Sequence, residues 1–352
     1  MKRHFGGSWN DGIGARRHGR LSQRGASVGC AAILSGCNAA APASTGTSVA
    51  IPSASASPSA SVAPTPAITG LTGHIVFTRA GKFYGDETVF VANIDGTEEV
   101  RLTEYGGGSG PWALRDGSRI VFSIFPTGGR VTGVIARLDG SDPVILPLPP
   151  GTLNVGAGPI SPDGALMVRE AFDDAHPETS GIYVSSTTGA DLRRVTQQHF
   201  IPGDFSPDGT QLVLFLGPDG SPPPAGALWT VNLDGSGLRQ LTPLGVQVQC
   251  CVNYRWSPGG SKILFADVDG VLWTIAPDGT QLTQVFKDGD GRWAITPTWS
   301  PDGSMILFGL DPIANPFAHP VNGLYVIRAD GSRLTEVLGG DDFKREPVWV
   351  SG

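Results

Sequence analysis

Residues 205–242 read FSPDGTQLVLFLGPDGSPPPAGALWTVNLDGSGLRQLT, and their pattern decides the fold. Two Asp-Gly turns, at Asp208-Gly209 and Asp234-Gly235, punctuate short apolar runs. Asp-Gly tolerates the positive φ that tight hairpins need, so each turn predicts a hairpin and the stretch predicts four strands. The second turn recurs as Asp95-Gly96, Asp139-Gly140, Thr188-Gly189, Asp278-Gly279 and Asp330-Gly331, with steps around the ring of 44, 49, 46, 44 and 52 residues. The first recurs out of phase in LRDGSRIVF, ISPDGALMV, WSPGGSKILF and WSPDGSMILF, at Asp116, Asp163, Gly259 and Asp302. A period of about 40 to 50 residues carrying four strands is that of a β-propeller blade.

Working outward, strand A of each blade ends in the SPDG-like turn, B follows it, C precedes the later Asp-Gly turn and D follows that. The pattern places complete blades near 110–147, 157–196, 201–242, 252–286 and 294–337. The ends supply the remaining one. HIVFT at 74–78 looks like a B without an A, and EPVWV at 346–350 like an A without a B. Pairing them removes both exposed edges of an open ring. The expectation is an all-β, six-bladed propeller of four-stranded antiparallel blades over 71–352, closed by pairing of those two strands.

Gly 50 and Pro 29 suit a turn-rich β protein, and 16% charged residues suit strands buried on both faces. Six of the 25 basic and one of the 32 acidic residues lie in the first 25 positions; the rest leaves 19 basic against 31 acidic. That acidic balance disfavours nucleic acid and adhesion to anionic lipid through basic residues.

The basic start, the apolar run ASVGCAAIL at 26–34 and the small residues after it have the layout of an export signal over 1–36. Leu34-Ser35-Gly36-Cys37 resembles the bacterial lipobox, which implies a lipid-modified Cys37 at the mature N-terminus, although the run alone also fits an ordinary secretory signal. Residues 37–70 are then an Ala/Ser/Thr/Pro tether that cannot bury enough apolar surface to fold.

The Trp256-Ser257-Pro258, Trp299-Ser300-Pro301-Asp302-Gly303 and Phe205-Ser206-Pro207-Asp208-Gly209 turns, with LDGSGLRQLT at 233–242, resemble those of the TolB-type, WD-repeat-like propeller family. The resemblance covers about 280 residues and implies the fold. Related propellers serve as binding scaffolds, as gating domains of peptidases and as lyases, so function does not follow from fold. The family's periplasmic member carries an α/β domain ahead of its propeller, where this sequence has only the tether.

The D-to-A loops gather at one end of the channel and are the place to seek a site. They carry Glu104, Tyr105, His199, Asp204, Gln249, Arg292, Trp293, Asp341, Asp342, Arg345 and Glu346 as ligand-binding candidates, in a pattern that also describes a solvated polar rim. Asp288-Gly289-Asp290-Gly291 has the oxygen-rich look of a calcium loop without the twelve-residue EF-hand pattern, making Asp288 and Asp290 metal candidates and calcium the one cofactor considered. Neither a G-x-S-x-G elbow nor H-E-x-x-H spacing occurs, so no catalytic residue is assigned. Cys250 and Cys251 are the cysteines of the propeller region; in an exported protein they are expected to oxidise, as a vicinal disulfide or an intermolecular bridge, unless they stay as buried thiols. The expected function is a lipid-anchored, extracytoplasmic, monomeric binding module for a protein, peptide or glycan. The rival is a metal-dependent lyase or hydrolase using the acidic channel residues.

Overall fold

A computed structural model describes residues 70–352 apart from 81–86, 104–107, 125–128, 199, 218–224, 251–252, 313–322 and 341. It is a propeller of six blades, each a sheet of four antiparallel strands. Blade 1 runs, from the axis outward, Phe343–Val350, His74–Ala80, Thr88–Asn93 and Val100–Arg101. The inner strands of blades 2 to 6 are Gly108–Ala113, Asn154–Val155, Ile201–Phe205, Arg255–Trp256 and Trp293–Trp299. Blade 4 gains a short extra strand, Val248–Gln249, paired with Ala225 and Gly226. The one helical turn described is Pro177–Thr179.

The closure is the expected one. His74 pairs with Val350, Ile75 with Trp349 and Arg79 with Lys344, so a strand from the C-terminal end becomes the inner strand of blade 1. The apolar residues that alternate along the strands form clusters shared between neighbouring blades. Val168 and Ile182 of blade 3 pack with Phe205 and Leu214 of blade 4, and Phe77 of blade 1 lies in one cluster with Leu307 and Leu324 of blade 6. The core is thus a ring of six inter-blade wedges rather than one central mass.

The hairpin loops run beyond the Asp-Gly pair itself. In blade 1 the N–H of Gly96 donates to Asn93 O at 2.9 Å and that of Asn93 to Thr97 O at 2.8 Å, which makes a three-residue loop. Only Gly96 takes the left-handed conformation, at φ 81°, because the Asp95 carboxylate accepts the Thr97 N–H at 3.0 Å and is served by the right-handed region. The A-to-B turns are one residue longer, with Leu114 N–H donating to Arg119 O. A second left-handed residue follows every C-to-D turn: Glu98, Asp142, Asp191, Gly237, Gln281 and Arg333, with φ between 51° and 67°. Only Gly237 signals this in sequence.

Candidate functional site

The inner strands position the channel wall. Residues paired with Val121, Val213, Leu264, Leu307 and Val76 of strand B occupy the same height in five of the six blades: Trp112, Asp204, Arg255, Thr298 and Val348. Two residues earlier stand Gly110, Asn253, Thr296 and Glu346. Here the inner strand bulges, its register slipping by one residue in blades 1, 2, 4 and 6. Glu346 and Thr296 are held left-handed at φ 54° and 46°, a conformation that costs a non-glycine residue about 1–3 kcal/mol. Each precedes a proline, as Gly110 does. Glu346 is fixed by the Gly110 N–H at 2.9 Å and the Thr78 hydroxyl at 3.2 Å, which tie blade 1 to blade 2. Asn253 of blade 5 donates to Thr296 O at 3.2 Å and to Pro347 O at 3.4 Å.

Below this layer the channel is crossed by the protein's own side chains. Arg255 of blade 5 reaches the opposite blade and stacks on Trp112, its guanidinium carbon 3.6 Å from the ring centroid. In return Arg115 of blade 2 donates to Trp256 O at 3.0 Å. Asp204, half-buried, accepts the N–H of Trp256 at 3.2 Å and of Phe205 at 2.9 Å. Burial pushes the Asp204 carboxyl up, against the pull of Arg255 and Arg115. Burial likewise lowers Arg255 to about 10, against the attraction of Asp204. These groups line a small cavity of about 50 Å³, together with Trp256, Thr298, Trp299, Ser300, Pro301 and Trp349.

At the loop end the described charges are mostly committed. Asp288 accepts both Arg292 side-chain bonds, at 2.8 and 3.2 Å, and the N–H groups of Asp290 and Arg292 at 3.0 Å. Burial raises its carboxyl, but the Arg292 bonds outweigh this and hold it below the usual carboxylate value. Asp342 pairs with Lys344, which is fully buried, and with Arg79, which also pairs with Glu99 at 2.6 Å. Arg345 forms a buried ion pair with Glu87. Asp290 is exposed. Trp293 packs against Ile295 and Phe343. Gln249 is buried, its backbone carbonyl accepting the Tyr254 hydroxyl at 2.8 Å. Cys250 is buried and disulfide-bonded.

The predicted residues thus divide. Asp342, Arg345 and Glu346 lie together on the inner strand of blade 1 and the loop before it, whereas Asp288 and Arg292 form a separate clasp before blade 6. Asp204 faces the channel interior rather than the loop rim. Glu104, Tyr105, His199, Cys251, Asp341 and Cys37 fall outside the described residues. Among the described residues no group of three His, Cys, Asp or Glu side chains could hold a metal ion, and no helix is long and apolar enough to cross a membrane. Arg255, Trp112, Arg115 and Glu87 were not singled out from sequence. The available signal was positional: the residue just before each Trp or Phe of the SPDG-like turn changes from blade to blade, as a channel-facing position does.

No protein-family model and no curated protein matches the chain. Solved structures do. TolB from Acinetobacter baumannii is similar at a TM-score of 0.62 and 18% identity, over 79% of this chain and 66% of that one. A TolB-labelled protein from Agrobacterium tumefaciens is similar at 0.58 and 18% identity, over 80% of this chain and 100% of that one. An oligogalacturonate lyase in complex with manganese is similar at 0.51 and 15% identity, over 76% of this chain and 74% of that one. The chain spans just under two thirds of the length of the first of these. At such identities the likeness is one of fold, and the ring is a six-bladed propeller of TolB-like architecture.

Proposed function

We propose that the protein is an exported, lipid-anchored propeller whose loop end binds a protein, peptide or glycan without transforming it. The observation that carries this reading is the commitment of the described charges at that end. Asp288, Asp342, Arg345 and Glu346 each hold a fixed partner, so they form a rigid patterned rim rather than a set of groups poised to exchange protons. Rigid, pre-paired polar groups favour recognition because little ordering is lost on binding. The channel below is crossed by Arg255 and Arg115, so a ligand would rest on the rim. Half-buried Trp293 offers a face to a sugar ring or a cation. The TolB-like neighbours suit a binding role, while the manganese-bound lyase among the similar folds keeps the metal-dependent enzyme as the rival.

The experiment is an array of cell-wall peptides and oligosaccharides probed with the purified protein, with and without calcium or manganese. Binding should be lost in Arg292→Ala with Trp293→Ala and kept in Asp234→Asn at the turn end. Metal-dependent cleavage of an arrayed oligosaccharide would overturn the reading. Cys37→Ala should move the protein from the membrane fraction to the soluble exported fraction; retention after a high-salt wash would refute the anchor.

A further inference from the structure

The cavity on the channel axis has a chemistry of its own, independent of any ligand at the loop end. Arg255 is 6% exposed, and its Nε and Nη2 have no hydrogen-bond partner. Its plane is fixed by stacking on Trp112, which leaves the edge of the guanidinium, where its donors lie, to face the cavity it lines. Trp256, also in the lining, leaves its indole N–H without an acceptor. The neighbouring indoles are satisfied: Trp299 Nε1 donates to Arg255 O at 3.2 Å and Trp349 Nε1 to Thr72 O at 3.1 Å. The orphaned groups in the lining are therefore donors.

The charges point the same way. Two guanidinium groups, Arg115 and Arg255, line the cavity against one carboxylate, Asp204. That carboxylate already accepts two backbone N–H groups. Glu346 also attracts Arg255, but its Oε2 is held by Gly110 and Thr78 outside the lining. Buried donors left unpaired are costly, and two guanidinium groups sharing one carboxylate leave a buried positive surplus. A water needs roughly 10–15 Å³ of such space, so a cavity of about 50 Å³ has room for a small ion with a water or two.

We propose that the propeller axis holds a small monovalent anion, of chloride or formate size, bound by Arg255 and set between blades 1, 2, 4, 5 and 6. The anion offsets the positive surplus left by Arg115, Asp204 and Arg255, and it adds to the links across the axis already made by Arg255 on Trp112 and by Arg115 on Trp256 O.

Sodium bromide soaked into crystals of the protein is the direct test. An anomalous peak within contact distance of Arg255 Nε or Nη2 is expected; a well-ordered water there instead, with no anomalous signal, overturns the proposal. In solution, Tm is compared in sodium chloride, formate and gluconate at equal ionic strength. Chloride and formate should raise Tm, and the rise should grow with the logarithm of anion concentration, as for any ligand that binds only the folded state. Arg255→Gln should abolish the difference between anions, and Arg239→Gln at the exposed turn end should keep it. Equal Tm in all three salts overturns the proposal as well. Should Arg255→Gln fail to fold, the bromide experiment on the unaltered protein decides alone.

Discussion

The two ends of the propeller are built on different principles. At the turn end one arrangement repeats: Asp95, Asp139, Asp234, Asp278 and Asp330 each accept the N–H of the residue two positions on, at 2.9 to 3.0 Å. Each of these bonds is made within a few residues of chain, and the longer reaches of Arg193 to Leu233 O and of Arg239 to Asp278 O go only to the next blade's turn. At the loop end no two blades agree. Arg345 finds Glu87 across 258 positions, Glu346 finds Gly110 across 236, and Asp288 closes on Arg292 four residues away. The turn end is therefore a property of each repeat, whereas the loop end is a property of the closed ring. Damage to one should stay local, and damage to the other should spread.

The largest expected effect tests that spread. Arg345→Met leaves Glu87 charged and buried, and breaking such a pair costs about 3–5 kcal/mol. Urea unfolding should register this loss, and adding Glu87→Leu should recover most of it, since apolar replacement of a buried pair is often neutral. If the double variant is as unstable as the single, the pair is not what joins that inner strand to blade 1.

An intermediate effect is expected from a turn whose glycine meets a neighbouring blade. Gly331 sits at φ 83°, and a Cβ there would lie 2.1 Å from Val285 O; at Gly209, φ 72°, the nearest atom would be 3.8 Å away. Both alanine variants bear the left-handed penalty of about 1–2 kcal/mol, but only Gly331→Ala must also displace blade 5. Its Tm should fall further than that of Gly209→Ala. Equal shifts would mean that the contact of Gly331 with blade 5 adds nothing to the cost of the turn.

The smallest effect is distributed over the turns. Side-chain hydrogen bonds from Thr97, Ser141, Ser236, Thr280 and Ser332 lower the carboxyls of Asp95, Asp139, Asp234, Asp278 and Asp330 below 3.8. A lowered folded-state value stabilises above the unfolded value and is lost as pH falls through the folded one. The urea midpoint should drop as pH passes below 3.8. Asp204, raised by burial, runs the other way and gives up stability as pH climbs from 3.8 through its folded value. Asp95, Asp278 and Asp330 together replaced by Asn should flatten the acid limb; an unchanged limb would place the acid sensitivity elsewhere.

The same division explains what could be read from sequence. The blade boundaries, the strand order and the pairing of His74–Ala80 with Phe343–Val350 were legible because Asp-Gly turns and apolar runs act locally and repeat. The three-residue form of the turns was not, because it depends on which of Asp and Gly turns left-handed, and the Asp side-chain bond decides that. The loop-end candidates were located but not partnered. Glu87 lies ahead of strand C of blade 1, in no D-to-A loop, and only ring closure brings Arg345 to it. Arg255 escaped notice because its reach to Trp112 spans two opposite blades.

Ring closure also bears on how a tethered domain would carry load. On the proposed anchoring, the pull enters the ring through Gly73, at the turn end of His74–Ala80, the second strand of blade 1. That strand makes six residue pairings with Thr88–Asn93 on one side and six with Phe343–Val350 on the other. With the ligand of the proposed function gripped at the loop end, the force would run along this strand, setting its hydrogen bonds in shear so that both rows share it. Had the tether joined an outermost strand such as Val100–Arg101, with two pairings on one side, the same pull would meet two pairs instead of twelve. The blade that seals the ring is the one placed to bear the tension.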